Sequence, residues 1–182
     1  SEEIINGLTL IWFEKFSTWP RSVIDRTKML RILLLFTLSA QYAASEIVCP
    51  LGWILFQNHC YAFIDDRLNW YAAAAACDYL DSYLVKIETA AENTWLVSVL
   101  RSYNFQETWT GGSQKLHALQ FVWLPSQEPF TFLGWGGGQP DNTRGRESYL
   151  EIRGEFNFSW NDHLPEIEKS FVCEKEPHKL EC

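Results

Sequence analysis

The sequence predicts an α+β domain. Two helix signals stand close together between residues 69 and 103. Short aromatic segments broken by Gly, Pro, Asn and Ser fill the stretch after Trp109. Helices first and many short strands later is the pattern of segregated α and β elements around one core. All five cysteines lie between residues 49 and 182, which marks this same region as a disulfide-bearing one.

"CPLGWILFQNHCYAFI" alternates loosely, is rich in aromatic and β-branched residues and carries Gly52 as a turn signal, so it reads as a hairpin. "NWYAAAAACDYL" follows, with Ala72 to Ala76 as strong helix formers and Asn69 as N-cap. "LVKIETAAENTWLVSVLRSY" begins as a strand over 84–87. It then turns into a helix, because Thr89 and Glu92 make a capping box ahead of Trp95, Leu96, Val99 and Leu100. "TWTGGSQ", "LQFVWLPSQEPFTFLGWGGGQPDN" and "SYLEIRGEFNFSWND" supply the later strands, and "KSFVCEKE" closes the chain as another. The long region between Gly111 and Asp162 is loop-rich, and long loops in a compact domain are usually functional.

Residues 1–45 are set apart from residues 46–182. "KMLRILLLFTLSAQYAASE" places Lys28 and Arg31 before a short apolar run, Ile32 to Leu38, with Ala43-Ala44-Ser45 as a small-x-small cleavage signal. The run is shorter than the roughly 20 residues a spanning helix needs. The expectation is a signal peptide starting at Met29 and cleaved near Ser45, with residues 1–28 as an upstream extension, and a secreted, extracellular product that does not span the membrane. Cysteine use agrees with an oxidising compartment. Four cysteines pair in three ways, and spacing alone does not choose. The fifth is a free thiol or a link to another chain.

Charge excludes one class of partner. From Glu46 on there are 19 acidic and 10 basic residues, a net of −9, with no basic run suited to gripping nucleic acid. Nor is there an enzyme signature. His59, His117, His163 and His178 are scattered, without Ser-His-Asp or His-metal spacing. Asp141 and Glu147 taken as a glycosidase pair are better explained as ligands.

"GQPDN", Gly138 to Asn142, raises that ligand question. Gln139 and Asp141 flank Pro140, Glu147 follows six residues after Asp141, and "SWND" adds Asn161 and Asp162. Three carboxylates and two amides make an all-oxygen set, which suits a hard cation, Ca²⁺ above all. Zn²⁺ would call for nitrogen or sulfur. "NFS", Asn157 to Ser159, is a glycosylation sequon in a polar turn between two strands.

In order, "CPLGWILFQNHCY", "NWYAAAAACDYL", "LVKIETAAEN", "WTGG", "FVWL", "QPDN", "LEI", "WND" and "FVCEK" resemble the C-type lectin-like domain, from Cys49 to Lys175. The resemblance implies that fold, in its long form with an N-terminal hairpin disulfide. It implies the pairings Cys49–Cys60 and Cys77–Cys173, and places Trp109 to Gly112 in a core strand. It implies one calcium at Gln139, Asp141, Glu147, Asn161 and Asp162, with Asp162 also lending its backbone carbonyl and Pro140 in the cis form. A second loop calcium is not implied, because Gln114, Ala118 and Asn142 stand where that site needs acids.

By the same resemblance, the calcium holds two neighbouring sugar hydroxyls. The Gln-Pro-Asp order goes with galactose or N-acetylgalactosamine. The carbohydrate-binding set is the five ligands plus His163. The partners are glycans or glycoproteins, in a recognition role of the kind used in innate defence. Two departures bear on this. A second disulfide usual in the family would fall at Tyr149 and Pro165, where both cysteines are absent. Losing such a bond typically costs about 2–5 kcal/mol unless something replaces it. The stacking aromatic common after Gln-Pro-Asp is also absent, the next residues being Asn142, Thr143, Arg144, Gly145 and Arg146. These departures keep a second reading open, a protein-binding lectin-like module whose sugar site is vestigial. Cys182, beyond the last strand, offers a disulfide-linked dimer.

Overall fold

A computed structural model describes residues 47–115 and 120–179. The signal-peptide region, Ala118 and Cys182 lie outside them, so the expectations placed there concern undescribed residues. Among the described residues, no helix is long and apolar enough to cross a membrane. Val48–His178 forms one compact unit.

The elements run β1 (Ile47–Val48), β2 (Ile54–Phe56), β3 (His59–Leu68), α1 (Trp70–Tyr79), β4 (Tyr83–Leu84), α2 (Ala90–Ser102), β5 (Glu107–Gln114), β6 (Phe121–Trp123), β7 (Glu128–Pro129), β8 (Tyr149–Arg153), β9 (Ser159–His163), β10 (Lys169–Lys175) and β11 (His178–Lys179). The sheet runs β2-β3-β10-β5-β6-β7. β4 joins β10, and β8 pairs with both β5 and β9. Only β10 and β5 run parallel among these pairs, with Ser170 opposite Thr108. Among the described residues the architecture is the α+β one expected, with two helices and a sheet of mostly short strands.

Both helix starts form as the sequence requires. Asn69 accepts from the Ala72 N–H at 2.9 Å, and α1 buries Trp70, Ala73 and Cys77 along one stripe. Thr89 Oγ1 accepts from the Glu92 N–H at 3.1 Å. The return half of the capping box differs. Glu92 is buried, and its carboxylate accepts from the Glu88 N–H at 2.9 Å and the Tyr61 O–H at 2.8 Å. Burial raises its pKa, and those two donors pull the other way. The cap thus ties α2 to β3. The strand expected over 84–87 is shorter, Tyr83–Leu84, although the Val85 N–H still reaches Val172 O.

Side chains alternating along β10 divide the interior in two. Val172 joins Leu96, Leu100, Trp123, Leu150, Ile152 and Trp160 under α2, whereas Phe171 and Cys173 join Trp70, Ala73, Cys77 and Trp109 under α1. β5 passes between them through Gly111 and Gly112. A Cβ on Gly111 would lie 2.5 Å from Leu84 O, and one on Gly112 2.6 Å from Leu150 Cβ, so no larger residue fits without shifting backbone or core. Cys49 is bonded to Cys60 and Cys77 to Cys173. The second bond links α1 to β10 across 96 residues.

Candidate functional site

The loop from Gly138 to Glu147 and the end of β9 come together. One carboxylate oxygen each from Asp141, Glu147 and Asp162 lies within 4.8 Å of the others. The loop is shaped by its own hydrogen bonds. The Gln139–Pro140 peptide is cis, as is Leu124–Pro125. Asn142 adopts left-handed backbone at φ 44°, and its Oδ1 accepts from the Glu147 N–H at 3.1 Å. Asp162 holds the loop to β9, its two oxygens accepting from the Asp141 and Asn142 N–H groups at 3.1 and 2.8 Å. Asp141 Oδ1 accepts from Thr143 Oγ1 at 2.8 Å.

These surroundings set the three acids apart. Burial raises the pKa of Asp162, against the pull of the Asn142 and Asp141 N–H groups. Burial also raises Glu147, opposed by the Thr143 N–H and by nearby His163. Asp141 is exposed and is held below its usual range, chiefly by the Thr143 hydroxyl. The donor set suits a calcium ion. Ligand oxygens sit 2.3–2.6 Å from Ca²⁺, so two on opposite sides are about 4.8 Å apart. All the donors are oxygen, and the surface side is open, with Asp141 and Thr143 exposed.

The other expected ligands are placed differently. Gln139 lies beside the cluster, with Oε1 accepting from the Asp141 N–H at 3.0 Å and Nε2 3.4 Å from Asp141 Oδ2. Asn161 is buried, and its Nδ2 donates to Glu151 Oε1 at 2.7 Å, so its side-chain nitrogen is taken by an acid outside the cluster of three. His163 is half-buried, 6.3 Å ring to ring from Trp109, and its buried Nδ1 has no protein partner among the described residues. Trp135 packs edge-on against Phe121 at 4.8 Å and Trp160 at 5.8 Å, as part of the core margin. Arg144 and Arg146 are exposed, and Gln114 is half-buried at the end of β5. Asn157 is exposed in the β8–β9 turn, where its Oδ1 accepts from Arg101 Nη2 at 2.7 Å.

At the two positions without cysteine, the chain packs instead. Tyr149 lies 4.5 Å from Trp70, ring to ring, and its hydroxyl is 3.2 Å from that of Tyr71. Pro165 O accepts from the Trp70 N–H at 2.9 Å. Both positions therefore bear on the first residue of α1.

Sequence reasoning passed over a charged group beneath the site. Glu151 and Lys169 are fully buried, with Lys169 Nζ 2.7 Å from Glu151 Oε2 as an ion pair off the ideal hydrogen-bond direction. Arg153 Nη1 is 3.4 Å from Glu151 Oε1, and Lys169 Nζ lies 4.9 Å from the centre of the Trp109 ring. The available signal was a charge inside each of two apolar strand segments, "LEI" and "EKSFVC".

A fold with this sheet, two bonded cysteine pairs and an oxygen-lined loop is that of a lectin domain. The Lectin C-type domain model matches residues 66–175, and the chain belongs to that family. Perlucin of Haliotis laevigata is 32% identical over 133 residues, covering 70% of this chain and 83% of that protein. The carbohydrate-recognition domain of cow CD23, solved in the presence of a GlcNAc2Man3 oligosaccharide, superposes with a TM-score of 0.64 at 27% identity, covering 72% of this chain and 98% of that one. The C-type lectin SPL-2 of Saxidomus purpuratus, described as Ca2+-independent, superposes with a TM-score of 0.64 at 30% identity, covering 70% and 93%. The family is one of carbohydrate-binding proteins, in which calcium is common but not universal.

Proposed function

We propose that the protein is a secreted, calcium-dependent carbohydrate-binding protein that prefers galactose or N-acetylgalactosamine. The convergence of Asp141, Glu147 and Asp162 oxygens within 4.8 Å carries the reading. Gln139, Asp141, Glu147, Asn161 and Asp162 hold one calcium in the loop. When bound, the ion supplies open coordination positions for two vicinal hydroxyls. The protein's part is to flank those positions. A carboxylate accepts from a hydroxyl while the Gln139 amide donates to one, so the order of acid and amide about Pro140 selects hydroxyl geometry. With Gln139 before and Asp141 after Pro140, the order is the one that the C-type lectin resemblance links to an axial 4-hydroxyl.

No aromatic follows the Gln-Pro-Asp segment, and Trp135 is tied into the core margin. His163 is the neighbouring ring, placed beside Glu147. Binding of a single sugar is therefore weak, and a dimer through Cys182 would raise avidity by linking two sites. Asn157 carries a glycan on the face of the β8–β9 turn.

A glycan array read with calcium and then with chelator tests the reading. Binding to galactose-terminated glycans that disappears with chelator is expected. Binding to a protein ligand that persists in chelator supports the second reading, a lectin-like protein-binding module. The similarity to SPL-2, described as a Ca2+-independent C-type lectin, bears on the calcium dependence alone, and sugar binding that persists in chelator would follow that precedent.

A further inference from the structure

Asn161 and Asp162 are neighbours on β9, yet their side chains have different partners. Asp162 reaches the loop, while Asn161 Nδ2 reaches Glu151 on β8, directly opposite it in the strand register. An amide has two unlike ends. A cation accepts only the oxygen, and an NH2 turned toward it is repelled. A carboxylate accepts only from the NH2. Whichever group takes the nitrogen therefore decides which end is left for a metal.

Glu151 is built to take the nitrogen. It is fully buried and set between Lys169 Nζ at 2.7 Å and Arg153 Nη1 at 3.4 Å, so the cations keep it an acceptor. Its Oε1 lies 2.7 Å from Asn161 Nδ2. No protein group among the described residues donates to Asn161 Oδ1. Stability alone is a poor reason for this arrangement. A buried ion pair is often replaceable by packed apolar residues without loss, because desolvation offsets the attraction. Burying Lys169 and Glu151 next to a site amide is accounted for when the amide must not turn over.

We propose that Glu151, held by Lys169, is a positioning residue for the loop site: it fixes the Asn161 amide with Nδ2 inward and leaves Oδ1 as the end available to the calcium. The inference rests on the calcium reading above and adds two residues outside the ligand set. Groups that orient metal ligands typically change metal affinity by about 10–100-fold when replaced.

The test is calorimetric titration of calcium into the full chain and three variants, with thermal melts of the calcium-free proteins alongside. Glu151→Gln keeps nearly the same volume but turns an acceptor-only carboxylate into an amide that can present either end, with Lys169 drawing its oxygen away from Asn161, and its calcium affinity is expected to fall by about 10–100-fold. It also takes from buried Lys169 its nearest carboxylate, leaving it Glu107 Oε1 at 3.5 Å and the Trp109 ring at 4.9 Å, so the fold loosens. Glu151→Gln with Lys169→Met removes both charges. The melting temperature should return toward that of the parent while calcium affinity stays low. Asp162→Ala reports loss of a direct ligand. Recovery of calcium affinity together with stability in the double variant would overturn the proposal, because Glu151 would then act only through the fold. So would parental affinity in folded Glu151→Gln.

A measurement on the parent covers variants that fail to fold. In its NMR spectrum, the Asn161 Nδ2 protons should stay protected from exchange when calcium is added, while the side-chain carbonyl carbon shifts. Loss of that protection on calcium binding contradicts the proposal. If the parent binds no calcium, the site reading itself fails. If the parent binds and the variants match it, only the positioning role fails.

Discussion

The two ends of α1 are held by different means. On one, Cys77 is bonded to Cys173 across 96 residues of chain. On the other, where the family's second bond would lie, Tyr149 packs on Trp70 and Pro165 O takes the Trp70 N–H. The first tie restricts the unfolded chain as well as the folded one. The second acts only once the fold exists. The bonded end anchors the core, and the packed end adjoins the loop that carries Glu147 and the strand, β9, that carries Asn161 and Asp162. The proposed loop site thus rests by the end held without a covalent tie, and the loop's hydrogen bonds to Asp162 matter more for it.

Breaking the bonded end should have the largest effect. Replacing Cys77 and Cys173 together by alanine is expected to cost about 2–5 kcal/mol, read as a lower melting temperature in calcium-free buffer. On the site side, Asp162→Ala removes a proposed ligand and the acceptor for two loop N–H groups. Its calcium affinity should fall beyond the roughly 100-fold that marks the upper end for an outer-shell partner, measured by calorimetry. The core melting transition should move little.

Tyr149→Ala sharpens the comparison. The ring is half-buried against Trp70 and Tyr71, so the loss should be about 1–2 kcal/mol, below that for a fully buried aromatic. Tyr149→Phe, which keeps the stacking, should cost less than half of that. Equal losses in the two variants would mean that the hydroxyl pair with Tyr71 supplies the stabilisation rather than the packing.

A smaller effect is expected from pH. Calcium binds the ionised acids, and burial raises the pKa of both Glu147 and Asp162. Protons therefore compete more strongly as pH falls through those raised values, and the site weakens on mild acidification before exposed carboxylates titrate. Calcium titrations at pH 7.5 and 5.5 should show weaker binding at the lower pH. The smallest change in calcium affinity should come from exchanging acid and amide, Gln139→Glu with Asp141→Asn, which leaves the charge of the ligand set unchanged. Its effect should appear in the sugar, as a move toward mannose on a glycan column eluted with chelator.

The helices were legible because their signals are local. Ala72 to Ala76 and the Asn69 cap need no tertiary partner to be read, and neither does Thr89 before Glu92. The return half of that capping box was not legible, because Tyr61 competes for the Glu92 carboxylate from 31 residues away. The three acids were legible as oxygen donors, since Asp141, Glu147 and Asp162 share a chemistry no core needs. The other half of the site was hidden. Lys169 and Glu151 look like surface charges in one dimension, and only the pairing of β8 with β9 and of β10 with β5 brings them together under Asn161. Tyr149 was legible only as a position without the family's cysteine, because its packing partner Trp70 lies 79 residues earlier in the chain.

The central claim is that the loop acids bind sugar through calcium. Galactose titrated by calorimetry into the full chain, first with calcium and then after chelation, tests it most directly. Heat of binding at millimolar galactose in calcium, absent after chelation and restored when calcium returns, is the predicted result. Equal heat in calcium and in chelator would contradict the account and place the sugar site elsewhere.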